Sequence, residues 1–459
     1  MILLAVPALD FSASSINYPD QIKIQAGVLI IIPCLALLHS VLSRRHSLAW
    51  SVYWMWSLVF LGLASSYQLV AGQFPWLGAL REDDISAAQQ LVILGHLVAI
   101  GAYAVISARR EQDRPTSAVS LGDSPRLASS IMTAIWIHAG IATVFVVLMG
   151  PGMVSGRKAY QAQLLSYGGI PAFGTLYFLA VVGSIIIPAM AIYLRKSGLG
   201  ISKGPIVMSV LVSFIATNPL VGSRFMTGSF LVAVSAALLS DRGRRWLPLG
   251  VIGAFVTVFP TLDLLRGDGT GASKVAFSPP AETLTTFDYD SFEMIVREVS
   301  LGGNLTGDVS RLDLIIAPFL RWVPILSQGV QGDASGPAVA AATGMGFTNV
   351  SMPLWAEADL FGSVVGVIIV FSVLGALLSR SGSTTLYGGL IETPVAAMLF
   401  IILRGSLYEV LGYILLALAV GGWLAAQYRK DQAEESAATH KTGVRVLHRL
   451  PAVRNARQH

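Results

Sequence analysis

The chain has 459 residues, of which 54% are hydrophobic and only 12% are charged. Soluble globular domains carry about 25% charged residues, so this composition excludes an ordinary soluble enzyme or binding module. Its single cysteine, Cys34, excludes a disulfide within the chain.

Apolar runs of about 17–25 residues recur along the chain, and each is long enough to cross a bilayer core of about 30 Å. In lipid, such a run satisfies its own backbone hydrogen bonds by forming a helix. We therefore predict an all-α polytopic membrane protein with about eleven transmembrane helices. The predicted spans are 23–42, 47–70, 87–107, 129–149, 172–194, 204–218, 225–240, 246–262, 358–379, 388–403 and 406–427.

The basic residues predict the orientation of these helices. With the N-terminus outside, 20 of the 31 Lys and Arg residues fall in inner segments, as the positive-inside rule requires. The predicted regions are 1–262 and 358–428 with the transmembrane helices, 263–357 as an extracytoplasmic loop, and 429–459 as a cytoplasmic basic tail. The tail has no apolar period, so we expect it to be disordered.

The loop 263–357 is expected to contain short interfacial helices. In FDYDSFEMIVREV, the side chains of Phe287, Phe292, Ile295 and Val296 could line one helical face. The later segment RLDLIIAPFLRWVPIL is apolar but interrupted by prolines and an arginine, which favours a helix at the head-group level over a further span.

Five arginines on the predicted outer side stand at or near the ends of apolar runs. An arginine at membrane depth costs several kcal/mol unless it is paired or opens into a wet cavity. Guanidinium groups bind phosphate bidentately and stay charged in a partly dry site. We therefore predict a shared anion site formed by Arg157, Arg224, Arg266, Arg321 and Arg404.

Three acidic residues on the same side are candidates for acid–base chemistry. Glu357 lies where the loop re-enters the membrane, and Trp355 and Phe361 could shield it and raise its pKa. The alternative is that Glu357 or Asp359 pairs with an arginine and only holds the loop. Asp288 and Asp290, in the sequence DYD, are the next candidates.

Other chemistry has little support in the sequence. The seven histidines are scattered, with no HExxH and no Cys/His cluster, and no GxxxxGK[ST] motif is present. We expect no metal, no cofactor and no nucleic-acid partner.

The order of these features resembles the O-antigen polymerase-like family of bacterial surfaces. The resemblance spans roughly residues 150 to 410 and is carried by GSRF at 222–225, FDYDSFEM, FLRWVP at 319–324 and TGMGFTNVSMPLWAEADLFGSVVG at 343–366. The family's Pro-Arg-x-x-Trp-Pro-like element is Leu320-Arg321-Trp322-Val323-Pro324 here. Its Glu-Ala-x-x-Asn-Phe-Gly-like element keeps Glu357 and Phe361-Gly362 but has Leu360 in the Asn place.

The resemblance implies a multi-pass protein of the bacterial cytoplasmic membrane whose active site faces outside. It implies transfer of a growing glycan from a polyprenyl-diphosphate carrier onto a lipid-linked repeat unit. The partners are then this lipid-linked oligosaccharide and membrane lipids, with a chain-length regulator and a flippase as further candidates. The arginines would bind the diphosphate or the glycan, and Glu357 would be the general base or an orienting residue, with Asp288 or Asp290 as the alternative.

Two other functions stay open at the level of sequence. An O-antigen ligase-like transferase has the same helices, outer loop and arginines but a different acceptor. A secondary transporter should show broken helices in paired positions. Asn218-Pro219 is one candidate break, and the sequence shows no matching partner for it.

Overall fold

The computed structural model describes residues 10–11, 16–43, 47–76, 78, 80–112, 121, 124–167, 170–265, 283–302, 311–320, 335–346, 350–381 and 385–447. Side chains at 110–112, 171, 256–265, 311–312 and 438–447 are outside this description. Within the described ranges the chain forms helices and connecting turns, with no strand.

The helices are numbered here in chain order. They are α1 (Asp20–Leu42), α2 (Leu48–Ala71), α3 (Glu82–Gln112), α4 (Pro125–Met149), α5 (Arg157–Tyr167), α6 (Pro171–Lys196), α7 (Lys203–Thr217), α8 (Arg224–Leu238), α9 (Asp241–Leu265), α10 (Ser291–Ser300), α11 (Arg311–Leu320), α12 (Ser335–Ala342), α13 (Leu354–Arg380), α14 (Leu386–Ile402) and α15 (Leu407–Leu447).

Each of the eleven predicted spans falls on one of these helices. Seven of them, in the described part of the chain, are long and apolar enough to cross a membrane: α1, α2, α3, α4, α6, α13 and α15. The helices α7, α8 and α14 are apolar but shorter. The structure thus confirms a helical, membrane-embedded protein, and the count of eleven spans stays a prediction.

The centre of the bundle is α2, whose residues Leu48–Leu69 are all buried. A π-helical stretch, Ser57–Leu63, interrupts its α-helical hydrogen bonding. Its rings of Trp56 and Tyr53 stack on Trp355 of α13 with centroids 6.0 and 6.3 Å apart. Because α2 has no face toward lipid, the other helices are arranged around it.

Small residues allow α13 to lie close against α3. A Cβ on Gly375 would be 2.7 Å from the carbonyl oxygen of Ala99, and one on Gly95 would meet the Trp355 indole. Such close backbone approach is how helices associate in lipid. The helix α13 is also broken at Gly362 and Ser363, where Ser363 has a φ of 52°. The break sets its first two turns, with Glu357, apart from the long apolar part.

Two sequence predictions are wrong here. The tail beyond Arg429 is not disordered as far as Leu447, because α15 continues through it. There the Asp431 carboxylate accepts hydrogen bonds from Ser124 and from the backbone N–H of Leu127 at the start of α4. Negative charge at a helix N-terminus is stabilising, which gives this polar stretch a reason to stay ordered.

The second error concerns Phe287. Phe292, Ile295 and Val296 are buried in α10 as predicted, but Phe287 lies in the 3-10 turn Phe287–Tyr289 and is 59% exposed. The helix begins only at Ser291, so its period does not extend back to Phe287, and the Phe287 ring is not part of the buried face.

Candidate functional site

A cavity of about 730 Å³ lies where several interhelical connections meet. Its wall comes from the α2–α3 connection, from α5, from the turn before α8, from the segment before α10, and from the α14–α15 connection. The lining residues are Trp76, Arg157, Tyr160, Gln161, Leu164, Tyr177, Val221, Gly222, Ser223, Arg224, Phe225, Thr286, Phe287, Asp288, Val350, Ser351, Phe400, Ile401, Arg404, Gly405 and Glu409.

The cavity brings together three of the five predicted arginines, Arg157, Arg224 and Arg404. They come from α5, from the first turn of α8 and from the α14–α15 connection. Arg266 and Arg321 lie outside the described residues. The three predicted arginines that the structure describes therefore line one cavity, and the binding of an anion there stays a prediction.

Arg224 is positioned by a tight turn between α7 and α8. Asn218 adopts a left-handed conformation with a φ of 49°, and its side chain donates to the carbonyl of Met153 at 3.1 Å and accepts from Val221 N–H at 3.3 Å. A Cβ on Gly222 would lie 2.6 Å from the carbonyl oxygen of Thr217, so this position requires glycine. The turn places Arg224 in the cavity wall.

Arg224 forms an ion pair with Asp288. One guanidinium nitrogen lies 3.0 Å from Oδ1 and 2.9 Å from Oδ2, and the two side chains are only 10% and 18% exposed. Both residues line the cavity. The pair keeps the Asp288 carboxylate next to a fixed positive charge in the cavity wall.

Arg404 is held by a different set of groups. Its guanidinium donates to the carbonyl oxygen of Phe287 and to Oδ1 of Asp290, each at 3.2 Å. It also lies over the ring of Phe225, with 4.4 Å from the guanidinium carbon to the ring centroid, within cation–π range. The 3-10 turn that carries Asp288 is thus tied to Arg404 as well as to Arg224.

Asp290 is fully buried and is not a lining residue. Besides Arg404, it accepts hydrogen bonds from the indole Nε1–H of Trp76 at 2.9 Å and from Ser351 N–H at 3.1 Å. This geometry makes Asp290 a positioning residue for Arg404 and Trp76. The two aspartates of DYD serve different arginines.

Glu357 is also buried, with 1% exposure, and is not a lining residue. Its Oε1 accepts from the hydroxyls of Ser335 and Ser406 at 2.6 and 2.9 Å, and its Oε2 accepts from Leu407 N–H at 2.6 Å. These contacts fix the connection that carries Arg404. Of the two interpretations of Glu357, the geometry favours the one that holds the loop, although its described partners are hydroxyls and an amide instead of an arginine.

A second buried network borders the cavity at Trp76. Glu293 accepts from Trp76 N–H at 2.8 Å and from Arg297 at 2.5 Å, while Arg297 donates to the Trp76 carbonyl at 2.8 Å. Burial raises the pKa of Glu293 to about 7, against the lowering effects of Trp76 N–H and Arg297. Burial likewise raises the pKa of the Tyr160 phenol, which therefore stays a neutral donor in the cavity wall.

Sequence reasoning missed several lining residues. Tyr160, Gln161 and Leu164 lie on the same face of α5 as the predicted Arg157, and the helical spacing of RKAYQAQL could have added them to it. Trp76 had no such signal, because its role depends on Asp290 and Glu293, more than 200 residues away.

Comparison with protein-family models, with curated proteins and with solved structures found no match for this chain. What the site can do therefore follows from its chemistry. Arginines from three separate segments, the carboxylates of Asp288 and Glu409 and several aromatic rings line a cavity of about 730 Å³. Such a set of groups can bind a phosphorylated ligand and stabilise negative charge that develops on it.

Proposed function

We propose that the chain is a polysaccharide polymerase, which transfers a growing glycan from a polyprenyl-diphosphate carrier onto a lipid-linked repeat unit. The observation that carries the proposal is the convergence of Arg157, Arg224 and Arg404 on one cavity of a membrane-embedded protein. Arginines next to lipid-facing helices suit a ligand that carries a diphosphate, a sugar and a long apolar chain.

The arginines supply the electrostatic part of the mechanism. When the bond between the anomeric carbon and the diphosphate breaks, negative charge develops on the leaving phosphate oxygen. Fixed guanidinium groups aimed at this oxygen stabilise the charge without reorganising. Their anchoring by Asp288, Asp290 and the Phe287 carbonyl keeps Arg224 and Arg404 in place before the substrate arrives.

Asp288 is the best placed general base among the three predicted acids. It is the one of them that lines the cavity, whereas the carboxylates of Asp290 and Glu357 accept hydrogen bonds from buried donors. In the proposed step, the acceptor hydroxyl oxygen attacks the anomeric carbon and its proton passes to the Asp288 carboxylate. The carrier leaves as polyprenyl diphosphate. Glu357 then has a positioning role, because it holds the connection next to Arg404.

The proposal places the site at the outer face of the cytoplasmic membrane. The cavity is built from the connections that the charge pattern assigns to the outside, whereas the basic clusters lie at the other helix ends. A glycan assembled inside must then reach it through a flippase, and a chain-length regulator would act on the product.

The size profile of surface glycan from cells lacking this gene, with their lipid-linked intermediates, tests the proposal. We expect loss of long chains while single lipid-linked repeat units remain, and recovery with the wild-type gene. Long chains stranded on the carrier would identify a ligase-like transferase instead. An unchanged profile would exclude both.

A further inference from the structure

One aromatic ring at the cavity stands out because it is not buried. Phe287 is 59% exposed, although Tyr289 and Phe292, a few residues later, are fully buried. Its ring stacks on Trp76 with the centroids 4.5 Å apart and an interplanar angle of 29°. Both residues line the cavity, so the pair presents a flat apolar surface beside the arginines.

The indole of Trp76 is held in place by buried charged groups. Asp290 accepts from its ring N–H, Glu293 accepts from its backbone N–H, and Arg297 donates to its carbonyl oxygen. Asp290 and Glu293 are fully buried, and burying carboxylates costs free energy that their partners must offset. Such a network around one ring indicates that the orientation of the ring matters, because packing alone needs no buried charge.

The pair is also at a fixed position relative to the arginines. The Phe287 carbonyl oxygen accepts from Arg404, and the next residue, Asp288, binds Arg224. A ligand whose phosphates lie on these two arginines would therefore bring its next chemical group to the Phe287 ring. In a lipid-linked glycan the diphosphate joins a sugar to the polyprenyl chain, so that group is either the sugar or the first prenyl unit. The polar side chains of Thr286, Gln161 and Tyr160 in the same cavity lining suit the sugar.

We propose that Phe287, backed by Trp76, is a stacking platform for the sugar ring next to the diphosphate. This inference rests on the proposed function and adds the subsite that recognises the glycan. One face of a pyranose presents C–H groups, which pack on an aromatic face, while its hydroxyls point outward. Thr286, Gln161 and Tyr160, which line the same cavity, supply polar groups for those hydroxyls. The platform favours sugars with one face free of charged substituents.

Two ligands separate the sugar contact from the diphosphate contact. One is undecaprenyl diphosphate without a sugar, and the other is the lipid-linked repeat unit extracted from cells lacking the gene. The purified full-length chain is titrated with each by native mass spectrometry. The Phe287→Ala variant removes the ring but keeps the main-chain carbonyl that Arg404 uses. Phe319→Ala is the matched control, because Phe319 is 58% exposed and does not line the cavity.

We expect Phe287→Ala to weaken binding of the glycan-bearing lipid about 10-fold, the order of one aromatic contact. Its binding of bare undecaprenyl diphosphate should not change. Phe287→Trp should restore glycan binding, and Phe319→Ala should resemble wild type with both ligands.

Equal weakening of both ligands would overturn the platform, since the ring would then contact the carrier or support the fold. No weakening of either would overturn it too. If the wild-type chain bound neither lipid, the proposed function itself would fail and the platform with it.

Discussion

The two ends of helices α8 and α14 use basic residues in different ways. At one end, Lys196 donates to the carbonyl oxygens of Ala237, Leu238 and Leu239, and so caps the C-terminus of α8. At the other end, Arg224 begins α8 and faces the large cavity. Lys196 is engaged by backbone carbonyl oxygens, whereas Arg224 faces the open volume of the cavity.

The same contrast holds for the ion pairs. Arg244 lies 2.5 Å from Glu392 of α14, and Glu392 also accepts from Leu48 N–H at the start of α2. The cavity beside this pair is about 190 Å³ against about 730 Å³ at the arginine-lined end. An arginine–carboxylate pair alone is therefore no sign of a site. What distinguishes Arg224 and Arg404 is the space they share.

Replacing the cavity arginines should have the largest effect on activity. Arg224→Ala or Arg404→Ala should reduce transfer by about 10²- to 10³-fold, the effect of losing one donor to a developing negative charge. Arg244→Ala is the control, because it also breaks a pair with a carboxylate. It should lower the amount of folded protein but leave transfer per folded molecule unchanged. Equal loss of specific activity in all three variants would contradict the distinction between the two ends.

Asp288→Asn should come next, with transfer reduced by about 10²-fold through loss of the base. The asparagine keeps an oxygen for Arg224, so substrate affinity should change far less than the rate. Single-turnover rates and binding of lipid-linked repeat units, measured on the same preparation, separate the two. A normal rate would show that the proton goes elsewhere, and Glu409 in the same cavity would be the next candidate.

Replacing Glu357 should lower the stability of the fold more than it lowers the rate of glycan transfer. Glu357→Ala leaves the backbone N–H of Leu407 and one buried hydroxyl without an acceptor, at about 1–3 kcal/mol each, because Ser335 and Ser406 can still bond to each other at 2.9 Å. We expect a large drop in the thermal unfolding midpoint, and a smaller one for Glu357→Gln, which keeps one acceptor oxygen. If Glu357→Gln kept its stability but lost all transfer, Glu357 would be the base and the positioning role would be wrong.

Sequence reasoning succeeded where lipid restricts the backbone. Apolar runs of this length have to be helices, so each predicted span coincides with a helix. The grouping of Arg157, Arg224 and Arg404 followed from the cost of charge at membrane depth, which does not depend on tertiary detail. These predictions depend on the properties of the lipid environment more than on the particular fold.

It failed where a role depends on distant partners. The contacts of Glu357 come from Ser335, Ser406 and Leu407, which are 22 to 50 residues away. The order of the tail depends on contacts between α15 and the start of α4, about 300 residues earlier. Neither can be predicted from a local pattern.

The turn before α8 offers a smaller test of the cavity wall. Gly222→Ala forces the backbone near Thr217 and Asn218 to move, and overpacking of this kind costs about 1–3 kcal/mol. Gly228→Ala, in the same helix as Arg224, is the control, since a Cβ there meets nothing within 4 Å. Thermal unfolding should distinguish them, with Gly222→Ala destabilised and Gly228→Ala not. Equal midpoints would show that the turn is not tight.

The smallest effect is expected at the far end of the bundle. Asp431→Ala removes the acceptor at the start of α4 and should cost about 1 kcal/mol. Glu434→Ala breaks an ion pair with Arg126 in which Glu434 is 63% exposed, and should cost less. Both variants should transfer glycan normally. A loss of transfer in Asp431→Ala at unchanged stability would mean that this end takes part in function.

Reconstitution of the reaction tests the central claim most directly. The purified chain is placed in liposomes with lipid-linked repeat units as the only glycan, and the products are followed by mass spectrometry. We predict a ladder of longer lipid-linked chains, with one undecaprenyl diphosphate released for each unit added, and no ladder with Arg224→Ala or Arg404→Ala. Absence of a ladder with the folded wild-type chain, or an equal ladder with both arginine variants, would contradict the account.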